Sequence, residues 1–233
     1  GDAGEHWKIL ANWGQIHPDH HAFFIHPNDP NYVINGNDGG VNISYDGGNS
    51  WRFAENIPVG QFYHIDIDNQ EPYNIYGGLQ DNGSWVGPAY HWKRGPIRNH
   101  EWQEVLFGDG FDCSPIPGQK GKGYAQWHSG NIYRFDINSQ LNVPIKPVHP
   151  EGKHLRFNWN AGMAVDPIDP NGLYFGSQPL HYSDDRGNTW KIISPDLTTN
   201  DSSKLHQSES GGLTVDATGA ENFCSILSIA PAR

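Results

Sequence analysis

Apolar residues along the chain come in short runs such as AFFIH, YVI, HIDI, NIY, YAQW and LYF, separated by clusters of Gly, Pro, Asn and Asp. This pattern predicts many short strands joined by tight turns, and therefore an all-β fold. Two of the punctuating stretches match each other. SYDGGNSW, residues 44–51, and SDDRGNTW, residues 183–190, share the order S-x-D-x-G-x-x-W.

A carboxylate in such a stretch invites a catalytic reading, but a turn needed by each unit of a repeat recurs where a single active site does not. Asp46 and Asp185 are read as acceptors for nearby backbone N–H groups. Gly48 and Gly187 permit positive φ, Ser44 and Ser183 open the turn, and Trp51 and Trp190 begin the next strand with a buried ring. These eight residues are assigned to the scaffold.

Aligning the two stretches extends the match. Pro27, Asp29, Pro30, Asn31 and Gly36 fall opposite Pro167, Asp169, Pro170, Asn171 and Gly176, at an offset of 140 residues that drops to 139 at the serines. Three units across that distance are each about 47 residues long, the length of a four-stranded propeller blade. Each unit reads as inner strand, D-P-N turn, second strand, polar loop, third strand, S-x-D turn and outer strand. The blades are placed at about 17–57, 58–106, 107–150 and 155–196, with a fifth beginning at 219–233. EHWKIL, residues 5–10, reads as a strand in progress. The chain is thus expected to be part of a larger seven- or ten-bladed propeller, whose other blades are its first partners. GPAYHWKRGPIRNHEW and TTNDSSKLHQSESGG are read as surface insertions.

The 233 residues carry 28 glycines, 17 prolines and nine tryptophans, in keeping with a turn-rich β fold. A net charge of −11 argues against nucleic acid or an anionic membrane surface as partner. No apolar run approaches the roughly 18 residues of a membrane span. Cys113 and Cys224 lack metal spacing and are read as buried free thiols; no cofactor is indicated.

Antiparallel strands put the loop entering the first strand and the loop between the second and third on one face. Blade one brings His17, Asp19, His20, His21 and Asp38 to it, and blade two Gln61, Tyr63, His64, Gln80, Asp81 and Asn82. Blade three brings Asp109, Phe111, Gln126, Trp127 and His128. Blade four brings Asn158, Trp159, Asn160 and Gln178, and the last segment Glu221 and Asn222. Flat rings beside carboxylates and amides suit sugars, which have apolar faces and hydroxyl edges, and they also suit extended peptide. Of these, His20, His21, His64, Gln80, Asp109, Trp127, His128, Trp159, Gln178 and Glu221 are taken as ligand-binding, with Trp127 and Trp159 stacking on rings to either side. HPDHH offers two imidazoles and a carboxylate but no further ligand at a recognisable spacing, so no metal site is assigned. Asp38 and Asp81 follow the second strands of adjacent blades in glycine-rich loops. They are the candidate catalytic pair, since inverting glycoside hydrolysis needs one carboxyl as acid and one as base.

GNDGGVNISYDGGNSW, GGLQDNGSW and FGSQPLHYSDDRGNTWKIISPDLT resemble the Asp-box, or BNR-repeat, β-propellers, the glycosyl hydrolase BNR-repeat and sortilin-like proteins. The likeness covers nearly the whole chain. It implies an extracellular or periplasmic protein that either hydrolyses or binds a β-linked polysaccharide, or, without catalysis, binds peptide or protein or serves as an extracellular structural module. In the xyloglucanase-type hydrolases of this group a catalytic aspartate sits in a D-x-G-G-like loop. Asp38 in NDGG has the matching place with one residue fewer. Sialidases of the group need three arginines on the ligand face, and none of the segments above supplies one.

Overall fold

A computed structural model describes residues 4–57, 59–205 and 222–232. The chain divides into two compact units, Gly1–Val59 and Gly60–Arg233. The fold is all-β, built of four-stranded antiparallel sheets of propeller-blade type in which sequence order is also spatial order. Among the described residues no helix is long and apolar enough to cross a membrane.

The first unit holds β1(His20–His26), β2(Asp29–Asn37), β3(Gly40–Ser44) and β4(Arg52–Phe53). Phe24 pairs with Ile34, and Ile34 with Ile43. The side chains buried in β2 and β3 are polar: Asn35, Asn42 and Ser44. Asn35 Nδ2 donates to the Ala22 carbonyl (3.2 Å), and Asn37 Nδ2 to Asn35 Oδ1 (2.8 Å). Phe23, Phe24 and Ile25 of β1 stay exposed.

The second unit contains three sheets. They are β5(Phe62–Ile67), β6(Asn74–Leu79), β7(Ser84–Pro88) and β8(Gln103–Leu106); β9(Cys113–Pro115), β10(Lys122–Trp127), β11(Asn131–Asp136) and β12(Leu141–Pro144); and β13(Met163–Val165), β14(Leu173–Gly176), β15(Leu180–Ser183) and β16(Lys191–Ile192). Apolar cores form where one sheet meets the next. Tyr76, Val86, Val105, Cys113, Ala125 and Phe135 join the first sheet of this unit to the second. Ile116, Tyr124, Ile132, Ile145, Phe157, Met163, Leu173 and Phe175 join the second to the third.

The two S-x-D-x-G-x-x-W turns are near copies in hydrogen bonding. Ser44 Oγ donates to Asp46 Oδ1 (2.9 Å) and accepts from Gly48 N (2.8 Å); Ser183 does the same with Asp185 (2.8 Å) and Gly187 (2.7 Å). The aspartates then accept from Ser50 N and Oγ (2.8 and 2.6 Å) and from Thr189 N and Oγ1 (2.8 and 2.7 Å). Bonds from the Ser50 hydroxyl and N–H and from Ser44 hold the Asp46 carboxyl down at about 2. Burial works against ionisation of Asp185, but the bonds from Thr189 and Ser183 outweigh it and its pKa is lowered. The indoles differ: Trp51 Nε1 donates within its own turn to the Gly48 carbonyl (3.2 Å), whereas Trp190 Nε1 crosses to the Ile145 carbonyl (2.7 Å) and ties β16 to the preceding sheet. Both tryptophans are largely buried.

Three sequence expectations are corrected. Residues 5–10 form no strand: no described segment supplies a pairing partner, and Trp7 and Ile9 are exposed. Residues 222–232 likewise form no strand. Ile226 instead inserts between Gly162 and Ser177, accepting from Gly162 N (3.2 Å) and donating to the Ser177 carbonyl (2.8 Å). Cys113 is a buried thiol, but Cys224 is only half-buried, in a bend at φ 56°.

His181 on β15 is buried between Phe157 and Trp190 and pairs with Ser177 Oγ through Nε2 (2.7 Å). Burial, with His149 adding to it, lowers its pKa from 6.5 to about 4. Below pH 6.5 the unfolded chain therefore takes up a proton that the folded one refuses. Stability is complete above that pH and falls towards pH 4, by as much as about 1.4 kcal/mol per pH unit. Urea unfolding at about pH 7 and about pH 4.5 should show the decline, and His181→Gln should reduce it. Trp190→Ala should cost about 3 kcal/mol in the same assay, from lost packing on Phe175 and the lost bond to Ile145.

Candidate functional site

Glycine brings two loops of the second unit together. A Cβ on Gly78, at the end of β6, would lie 2.3 Å from the backbone of Gly110 and Phe111, so only glycine permits this approach. Gly110 N donates to the Leu79 carbonyl and Gly83 N to the Gly108 carbonyl, both at 2.9 Å. Residues 108–112 are thereby pressed onto residues 79–83. Asp109, buried there, accepts from the Asp81 backbone N–H at 2.9 Å and holds Asp81 at φ 61°. Gln80, on the same loop, is exposed and accepts from the Tyr63 hydroxyl.

The same loop carries Asp112, which sequence analysis passes over in favour of its neighbours Asp109 and Phe111. Asp112 Oδ1 takes His64 Nδ1 at 2.6 Å, and Oδ2 accepts from Gln126 Nε2 at 3.0 Å. Gln126 is wholly buried and donates from the same nitrogen to the Ala161 carbonyl (2.6 Å). Burial raises the Asp112 pKa against the bonds from His64 and Gln126, and the Asp66 carboxylate adds to the rise. His64 and Asp112 line an open cavity of about 430 Å³ together with Asn160, Gly162, Met163, Leu227, Ser228 and Ile229.

Next to Gln126 and Asn160 in the chain stand three rings. His128 stacks on Trp159 (centroids 4.3 Å apart, 12° between planes) and meets Trp127 edge-on at 4.6 Å. Trp127 and Trp159 are thus joined through His128, not set apart as two platforms, because one face of Trp159 is covered by the imidazole. Several polar atoms here are shielded from solvent without a hydrogen-bond partner among the described residues: Gln126 Oε1, Trp127 Nε1, His128 Nδ1 and Asn160 Oδ1. His128 Nδ1 does lie 3.5 Å from Asp109 Oδ2, at ion-pair range.

Other predicted ligand residues are engaged by the scaffold. Gln178 accepts from Arg156 N and donates to the His154 carbonyl, both at 2.8 Å, so its amide braces the segment leading into the third sheet of this unit. Asn158 Nδ2 reaches the Asn222 carbonyl (3.3 Å) and Asn222 Nδ2 the Phe157 carbonyl (2.6 Å), a reciprocal clasp. Glu221 lies outside the described residues.

In the first unit Asp38 follows β2 directly and is paired with His21 Nε2. His20 Nδ1 bonds Asn35 Oδ1 (3.1 Å), and His17 lies 3.5 Å from Asp19. The histidines of HPDHH have separate partners. Asp38 belongs to the first unit and Asp81 to the second.

No protein-family profile matches the chain, and no curated protein sequence matches it. Solved β-propeller structures are similar in fold. The GH74 xyloglucanase from Xanthomonas campestris has a TM-score of 0.40 at 16% identity over 77% of this chain and 30% of its own. YCF48 bound to D1 peptide gives 0.40 at 14% identity over 82% and 59%. The Myceliophthora thermophila Cps50 (Swd1) β-propeller domain gives 0.43 at 12% over 77% and 57%. The chain spans less than a third of the xyloglucanase and under two thirds of the other two.

Asp109→Ala should release Asp81 from its loop. The Asp81 amide, slow to exchange with solvent in the parent, should exchange about tenfold faster or more in the variant once its bond of about 1–3 kcal/mol is gone. An unchanged rate would show that the glycines alone hold the loop.

Proposed function

We propose that this protein is part of an extracellular or periplasmic Asp-box propeller that takes a β-linked polysaccharide on its loop face. One observation carries the reading: an open cavity has an oriented imidazole, His64, and an amide, Asn160, in its wall, and the residue before that amide, Trp159, stacks on His128. Carbohydrate has the matching chemistry, with hydroxyl edges for the polar groups and apolar ring faces for the aromatics. In the hydrolytic form of this reading Asp38 and Asp81 are the acid and the base. Each stands in a glycine-rich loop after a second strand, Asp38 beside an imidazole and Asp81 with its backbone fixed by a buried carboxylate.

The test is binding and turnover on a panel of β-glucan, xyloglucan and xylan oligosaccharides, set against extended peptides. The reading expects oligosaccharide binding. If the protein is a hydrolase, Asp38→Asn and Asp81→Asn each cut turnover about 100-fold or more while affinity is kept, since the amide preserves shape and removes proton transfer. Turnover unaltered in both variants would remove these two residues from catalysis. Peptide bound in place of every oligosaccharide would overturn the reading in favour of a sortilin-like binding module.

A further inference from the structure

We infer that the cavity beside His64 is a hydroxyl-binding subsite: His64 Nε2 accepts a hydrogen bond from a neutral, hydroxyl-bearing ligand, and Asp112 and Gln126 are the positioning residues that make it an acceptor. The inference deepens the glycan reading and rests on it.

The subsite is built outward from the core. Gln126 is wholly buried on β10, and its Nε2 donates both to the Ala161 carbonyl and to Asp112 Oδ2. That fixes the carboxylate plane, and the other oxygen, Oδ1, meets His64 Nδ1 at 2.6 Å. A carboxylate only accepts, so the proton of this bond belongs to Nδ1, and a neutral imidazole protonated there carries its lone pair on Nε2. His64 is half-exposed at the cavity wall, and its ring orientation is set from below by a group that cannot move freely. The arrangement defines the sign of the subsite: it asks for a donor.

The rest of the wall agrees. Asn160 lines the same cavity, and its side-chain oxygen has no donor among the described residues. Among the described residues no Lys or Arg side chain lines the cavity, while Asp112 does, so an anionic ligand meets a carboxylate and no cationic partner from them. Met163, Leu227 and Ile229 supply an apolar side, which suits the carbon face of a sugar ring more than a hydrated cation.

Asp112→Asn is the discriminating change. Gln126 Nε2 still needs an oxygen at residue 112, so the new amide must turn its NH₂ towards His64 Nδ1. The imidazole then becomes an acceptor at Nδ1, and its proton moves to Nε2. Nitrogen-15 NMR of the ring reads this directly: in the parent His64 should be protonated at Nδ1 and bare at Nε2, and in Asp112→Asn the reverse. Affinity for cellotetraose, xylotetraose and a xyloglucan heptasaccharide, measured by calorimetry, should fall tenfold or more for whichever binds, in both Asp112→Asn and His64→Ala. A parent His64 protonated at Nε2 overturns the inference whatever the variants do. Oligosaccharide bound equally by the parent and both variants also overturns it, and leaves the glycan reading standing. If the parent binds none of the three, both fall.

Discussion

Everything in the molecule depends on carboxylates that accept backbone N–H bonds at the turns. The sheets are small, with strands from two to nine residues long, and no single sheet encloses a core of its own. Their registers must therefore be pinned at the ends. Asp46 and Asp185 do so between the third and fourth strands. Asp68 and Asp166 do so between the first and second, binding Asn74 N (2.9 Å) and Asp169 N (3.0 Å) and reaching the Tyr76 and Tyr174 hydroxyls eight residues on (3.0 and 3.1 Å). Because side chains alternate across a strand, a slip of one residue would exchange every buried position for an exposed one. The loops at the opposite strand ends carry the candidate site, and their geometry follows from these registers.

In the second unit a further constraint adds to the first. The cores lie between sheets, and some residues that join one blade to the next also position the site. Gln126 illustrates this. Its backbone belongs to β10, while its side chain holds Asp112 ahead of β9 and the Ala161 carbonyl ahead of β13. Gly78 acts similarly by letting the 108–112 loop lie against β6. The orientation of His64 is consequently a property of the packed blades and not of the strand on which it stands.

This explains what was legible in the sequence. The S-x-D-x-G-x-x-W turns were readable because their bonds run between residues at most four apart, so the needed side chains appear together. Propeller blades followed from the spacing of such turns. The His64–Asp112 pair joins residues 48 positions apart and leaves no local trace. A signal existed, an acid immediately before an inner strand in FGDGFDC, but Asp109 four residues from the same strand looked equivalent. Gln178 failed in the other direction: an amide in a loop resembles a ligand group until its backbone partners at 154 and 156 are known. Residues 5–10 and 222–232 misled because apolar runs state a preference for strand, whereas a strand forms only where a neighbour offers its free N–H and C=O groups.

The two candidate catalytic carboxylates stand on different kinds of support. Asp81 is fixed through its backbone by Asp109, which is itself buried against a loop that glycine allows to pack closely. Asp38 follows a strand whose buried partners are asparagines, and it is held through its side chain by the exposed His21. The two carboxylates are thus positioned by different means, Asp81 through its main chain and Asp38 through its side chain.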